Sequence, residues 1–224
     1  MKLKITALIL ALLTLSAVSC GEKKKSYNSS ESSTSSSSES TAEQKSYKEV
    51  MEETFRDFKE LPEGAELSIS STKGKAGERV PVTISVSGAE KQWSMCGIHL
   101  TYDLSLSLVL NDELGEGNVL FTEGEAVKDN IGFISLIWDK NIPKELTDQH
   151  LGTFFFTTMF EGDFGGDGDI ATFYFDIPKD AESGTVYPIG YYFLNTDVFR
   201  NTAGDKSFDK YAFEHFKLGS ITVE

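Results

Sequence analysis

Met95-Cys96-Gly97-Ile98-His99-Leu100-Thr101-Tyr102-Asp103 decides how this chain is read. As a β-strand, its period of two puts Cys96, Ile98, Leu100 and Tyr102 on one face and Met95, Gly97, His99 and Thr101 on the other. The first set has the composition of a core. The second does not, and it predicts an outer sheet surface that binds another protein, with Gly97 leaving room for a partner helix to approach.

The sequence on both sides of this stretch also reads as strands. Apolar runs with turn punctuation occupy Leu67 to Ser70, Val80 to Val86, Leu104 to Leu110 and Ile131 to Trp138, then Thr153 to Phe160, Ile170 to Ile177, Tyr187 to Leu194 and Ser220 to Val223. Together with the Met95 strand these are about nine strands with no regular alternation with helices. The fold class is therefore all-β, a nine-stranded jelly-roll sandwich over residues 65–224, with one short helix expected around Lys144 to His150. The 16 Phe, 8 Tyr and 19 Gly suit sheets joined by many turns.

Upstream the composition changes twice. Residues 1–20 read as a secretory signal, with Lys2 and Lys4, an apolar run from Ile5 to Val18 too short to span a bilayer, and small residues before Cys20. Leu15-Ser16-Ala17-Val18-Ser19-Cys20 resembles a bacterial lipobox, in which the Cys is acylated and becomes the first mature residue. That resemblance implies a protein anchored by lipid at Cys20 on the extracellular face of the cell membrane. Ala17 stands where Leu is usual, so secretion without lipidation is the alternative.

Residues 21–46 are a Ser-rich linker. Ser fills 11 of the 21 positions from Ser26 to Ser46. A segment so poor in apolar side chains cannot offset its ordering entropy and is expected to be disordered. Residues 47–61 then read as one amphipathic helix with Tyr47, Val50, Met51, Phe55, Phe58 and Leu61 on a stripe, Thr41-Ala42-Glu43-Gln44 as its capping box and Pro62 as its stop. The stripe is expected to pack on the domain that follows, with recruitment of a partner as the alternative, and that domain is expected to fold without it.

Charge and chemistry narrow the function. Lys+Arg 21 against Asp+Glu 35 gives a net charge of -14, which repels phosphate backbones and excludes a nucleic-acid partner. After the signal only Cys96 remains, so no internal disulfide forms, and Cys96 on the inward face reads as a small buried hydrophobe. His99, His150 and His215 have no metal-ligand spacing, and Gly-x-Ser-x-Gly is absent. Gly162 to Asp169 carries three Asp on a Gly-rich loop. It fails the spaced acidic series of an EF-hand and reads as a turn, with calcium binding as the alternative. Neither a cofactor nor a metal site is expected.

Five pieces in order carry a family likeness: Ala76-Gly77 before Val80-Pro81-Val82, Cys96-Gly97 before Leu100-Thr101-Tyr102-Asp103, Asp167-Gly168-Asp169-Ile170-Ala171-Thr172-Phe173, Gly184 before Tyr187-Pro188-Ile189, and the closing Gly219-Ser220-Ile221-Thr222-Val223. Over residues 66–224 this pattern resembles a cohesin domain. The resemblance implies a non-catalytic, monomeric module of a cellulosome-type assembly. Such a module binds the dockerin modules of polysaccharide-degrading enzymes or scaffoldins. Only one alternating set of Ile131 to Trp138 can be core, and the family pattern assigns Ile134, Leu136 and Trp138 outward with Asp139 at the strand end. The expected partner site is then Met95, Gly97, His99, Thr101, Ile134, Leu136, Trp138 and Asp139, with a fully buried strand as the alternative for the Ile131 run. The rival function is a secreted carbohydrate-binding sandwich that touches polysaccharide directly through exposed coplanar aromatics.

Overall fold

Two sheets face each other, and the Met95 strand lies within the larger one. The computed structural model describes residues 45–59, 64–140 and 142–224. The signal, Cys20, the Ser-rich linker before Lys45 and the Thr41 to Gln44 box lie outside the described residues. Twelve strands are present among them: β1 Glu66–Ile69, β2 Thr72–Gly74, β3 Arg79–Ser87, β4 Met95–Asp103, β5 Ser107–Leu108, β6 Phe121–Glu123, β7 Gly132–Ile137, β8 Leu151–Met159, β9 Gly168–Asp176, β10 Val186–Tyr191, β11 Val198–Arg200 and β12 Gly219–Val223. One sheet runs β1-β3-β9-β5, with β6 also on β9. The other runs β2-β12-β10-β4-β8-β7, with β11 pairing β4 beyond the end of β10.

The inward faces obey the period of two. Cys96, Ile98 and Leu100 of β4 are fully buried, as are Phe154 and Phe156 of β8 and Phe173 and Phe175 of β9. Rings meet across the gap between sheets, Phe154 on Phe173 at 4.8 Å, Phe156 on Phe173 at 5.6 Å and Tyr102 on Phe175 at 5.6 Å. Burial of this size is the main favourable term for a domain without disulfides. The jelly-roll sandwich is the fold expected, with short β2, β6 and β11 added. Leu104 to Leu110 is mostly turn, because Asp103 Oδ1 accepts the Ser105 N–H at 2.7 Å and bends the chain.

Three α-helices accompany the sheets among the described residues: α1 Tyr47–Thr54, α2 Lys144–Asp148 and α3 Lys206–Glu214. The cap of α1 is Ser46, whose backbone N–H donates to Glu49 Oε2 at 2.8 Å while its Oγ accepts the Glu49 N–H. The helix stops at Thr54 rather than Leu61 because Phe55 turns inward, 3% exposed, against Phe193 at 5.3 Å and Phe213 at 6.4 Å. Phe55 thus belongs to the core, and Val50 and Met51 of α1 pack against it. α3 was not foreseen. Asp205 caps it through the Ser207 N–H, and Phe208, Ala212 and Phe213 enter the core.

Candidate docking face

The outward faces of β4, β8 and β7 form one surface whose pairs follow from register. Met95 lies opposite Met159, Gly97 opposite Thr157, His99 opposite Phe155 and Thr101 opposite Thr153. On the next strand Ile134 lies opposite Thr157 and Leu136 opposite Phe155. Phe133, Ser135 and Ile137 point the other way. The Phe133 ring stacks on Phe156 at 5.7 Å, and Ser135 is buried with its hydroxyl donating to the Phe155 carbonyl. Ile134, Leu136 and Trp138 therefore face outward.

Only part of the surface is open. Trp138 is 41% exposed, Leu136 39% and Met159 41%, and Met95, Ile134, Phe155 and Thr157 are half-buried beside them. Asp139 is exposed just beyond Trp138. A contiguous apolar patch of this kind on a sheet is the physical mark of an interaction site.

The other end of the face is covered, which corrects the expectation for Gly97, His99 and Thr101. His99 is 3% exposed, Thr101 6%, and Gly97 is buried. A side chain on Gly97 would meet Phe155 Cζ and Thr157 Oγ1, each at 3.3 Å, so the missing Cβ makes room for the chain's own Phe155. Thr101 and Thr153 are buried as well, and Leu146 of α2 and Tyr192 are buried outside the inter-sheet core, with the Tyr192 hydroxyl donating to Glu145.

His99 is covered because β10 and β11 do not run on from one another. Tyr191 pairs with Leu100 and Val198 with Gly97, so six residues from Tyr192 to Asp197 pass where two would fit. That excursion delivers Asp197 onto the sheet. Its Oδ1 lies 2.6 Å from His99 Nδ1, its Oδ2 accepts the His99 backbone N–H at 3.2 Å, and its own N–H donates to the Leu194 carbonyl. Burial pushes the Asp197 carboxyl up, and the hydrogen bonds from His99 pull it back. Above the pair, the His99 ring contacts Phe155 at 4.7 Å and Trp138 edge-on at 4.9 Å.

Phe155 and Met159 belong to this face and were not singled out from the sequence. The alternation of Thr153 to Phe160 was the available signal, since Phe155 and Met159 share a set opposite Phe154 and Phe156. Cys96, fully buried on the inward face, has its thiol pushed well up by burial, with Asp197 and Asp209 adding to the rise. In the Gly162 to Asp169 loop each carboxylate already has a protein partner. Asp163 takes the Thr202 N–H and hydroxyl, Asp167 the Gly88 and Ala89 N–H groups, and Asp169 the Ser85 hydroxyl. A side chain at Gly165 would fall 2.2 Å from Trp93, so this turn packs on a fully buried indole.

Solved structures of cohesin modules resemble this sandwich in fold. A type III cohesin module from the cellulosomal ScaE cell-surface anchoring scaffoldin of Ruminococcus flavefaciens is similar with TM-score 0.60 and 22% identity, over 73% of this chain and 89% of that one. The Coh-OlpC-Doc435 complex, a type I cohesin–dockerin pair from Clostridium thermocellum, is similar with TM-score 0.53 and 16% identity, over 74% of this chain and 97% of the other. The sixth cohesin of Acetivibrio cellulolyticus scaffoldin B, in complex with a Cel5 dockerin mutant, gives TM-score 0.50 and 19% identity, over 72% and 99%. The chain has the cohesin fold. No protein-family model matches it, and no curated protein matches it in sequence.

Proposed function

We propose that this chain is a non-catalytic cell-surface cohesin that captures dockerin-bearing enzymes or scaffoldins, acting as a monomer through the open part of the β7–β8–β4 face and held to the membrane by lipid at Cys20. The observation that carries the reading is the exposed apolar patch around Trp138 on the face of a cohesin-type sandwich. Two of the similar structures are cohesins in complex with dockerins, which supports a partner of that class. Met95, Ile134, Leu136, Trp138 and Asp139 are the proposed contacts, joined by Phe155, Thr157 and Met159. Gly97, His99 and Thr101 support them from beneath.

The carbohydrate-binding alternative needs coplanar exposed rings. Trp138 and Phe155 are tilted by 55° and Trp93 is fully buried, which weighs against that reading. Titration of the protein with a panel of dockerin modules and, separately, with soluble polysaccharides tests the choice. Capture of a dockerin with no polysaccharide binding is expected, and the opposite pattern overturns the proposal. For the anchor, Cys20→Ala moves the protein from the membrane fraction into the medium. An unchanged distribution would contradict lipidation.

A further inference from the structure

The open patch has a size and a border, and both say something about what can sit on it. Trp138 donates its backbone N–H to the Thr153 carbonyl, so the patch runs along β8 from the level of Thr153 to Met159, a length of about 20 Å. Across β7, β8 and β4 it measures about 10 Å, and the burial of Gly97, His99 and Thr101 closes it beyond. An α-helix with its side chains is about 10–12 Å wide, and about 13 residues of it cover 20 Å. The patch therefore holds one helix and has no room for two side by side.

No charged side chain lies inside the patch, but carboxylates border it at both ends. Glu116 precedes Gly117, whose carbonyl accepts the Ile137 N–H at 2.8 Å, and Asp139 follows Trp138. At the far end Glu161 lies two residues beyond Met159, and Asp129 lies two residues before Ile131, whose N–H donates to the Met159 carbonyl. All four are exposed, and their side chains have no ion-pair or hydrogen-bond partner among the described residues. The nearby cations are mostly engaged. Lys128 is 3.5 Å from Glu125, and Arg200, opposite Met95 on β11, is 3.6 Å from Asp209, which leaves Lys140 after Asp139. The border is thus negative around an apolar floor.

We propose that this face accepts a single amphipathic helix whose apolar stripe is flanked by Lys or Arg, the cations meeting Glu116 and Asp139 at one end and Asp129 and Glu161 at the other. This deepens the docking reading above and rests on it. Charge at a rim steers encounter and selects among partners more than it adds affinity, so the carboxylates act on the association rate while the floor around Trp138 holds what arrives. A helix with the same stripe and acidic flanks is turned away by like charge.

The test uses two cross-linked helical peptides of about 13 residues with the same Leu stripe, one flanked by Lys and one by Glu, titrated into the Cys20→Ala protein. The Lys-flanked peptide is expected to bind and to shift the Trp138 indole N–H resonance, assigned with Trp138→Phe, and the Glu-flanked peptide to bind at least about tenfold more weakly. Glu116→Gln with Asp139→Asn should slow association of the Lys-flanked peptide about fivefold at low salt and leave its dissociation rate nearly unchanged. Asp180→Asn with Glu182→Gln, which removes the same charge from exposed positions between β9 and β10, should leave both rates unchanged. Equal binding of the two peptides, an unmoved Trp138 signal, or an equal loss from the Asp180 and Glu182 pair overturns the proposal, the last by tracing the effect to net charge alone. A dockerin captured with no dependence on salt or on Glu116 and Asp139 also overturns it and leaves the cohesin function standing. If no dockerin binds while the Lys-flanked helix does, the functional proposal fails and the basic-helix preference stands.

Discussion

Leu100 and Trp138 lie on opposite faces of the same sheet, and their substitutions should separate folding from binding. Leu100 is fully buried, so Leu100→Ala removes core volume and should cost about 2–5 kcal/mol of stability, read as a lowered denaturation midpoint. Binding by the molecules that remain folded should be unchanged. Cys96 is equally buried with its thiol held protonated, so in the Cys20→Ala protein it should ignore a thiol reagent until denaturant opens the sandwich. Modification in the native state would contradict the burial. His99 shows where residue-scale reading stopped. Its position on the outward face of β4 followed from alternation, but its burial depends on Asp197, ninety-eight positions away in sequence.

At the scale of elements, α1 and α3 hold the sandwich closed between them. Phe55 sits on Phe193 and Phe213, so Phe55→Ala should cost about 3–5 kcal/mol, and truncation to residue 64 should cost at least as much. A truncated chain that melts like the whole protein would show that α1 is an accessory. In α3, Asp209 is fully buried, accepts the Phe199 N–H of β11 at 2.6 Å and lies 3.2 Å from Lys206 Nζ and 3.6 Å from Arg200 Nη2. Asp209→Ala strands those partners and should lower stability by about 3 kcal/mol, at the small end for a buried pair because both cations reach solvent. The long strands were legible because β3, β4 and β8 alternate cleanly or carry unbroken apolar runs. β2, β6 and β11 were not, since three residues held mainly by a neighbour have no period of their own. Part of the docking face was legible for the same reason. Alternation separated Leu136 and Trp138 from Phe133, Ser135 and Ile137 and the family resemblance turned them outward, whereas the burial of Thr101 is set by the tertiary fold and has no signal in the strand itself.

On the scale of the whole molecule, the proposed function asks the Ser-rich segment behind a lipobox-like Cys to hold the apolar patch around Trp138 away from a membrane. Of the residues on that patch, Trp138 is the large aromatic most open to solvent, and interfaces are usually dominated by a few such anchors. The direct test is calorimetric titration of native protein and Trp138→Ala with the dockerin that the panel selects, alongside thermal unfolding of both. Loss of the anchor should cost on the order of 2 kcal/mol, about thirtyfold in affinity, with little change in the unfolding temperature. A folded Trp138→Ala protein that binds that dockerin as tightly as the native one would contradict the assignment of the β7–β8–β4 face.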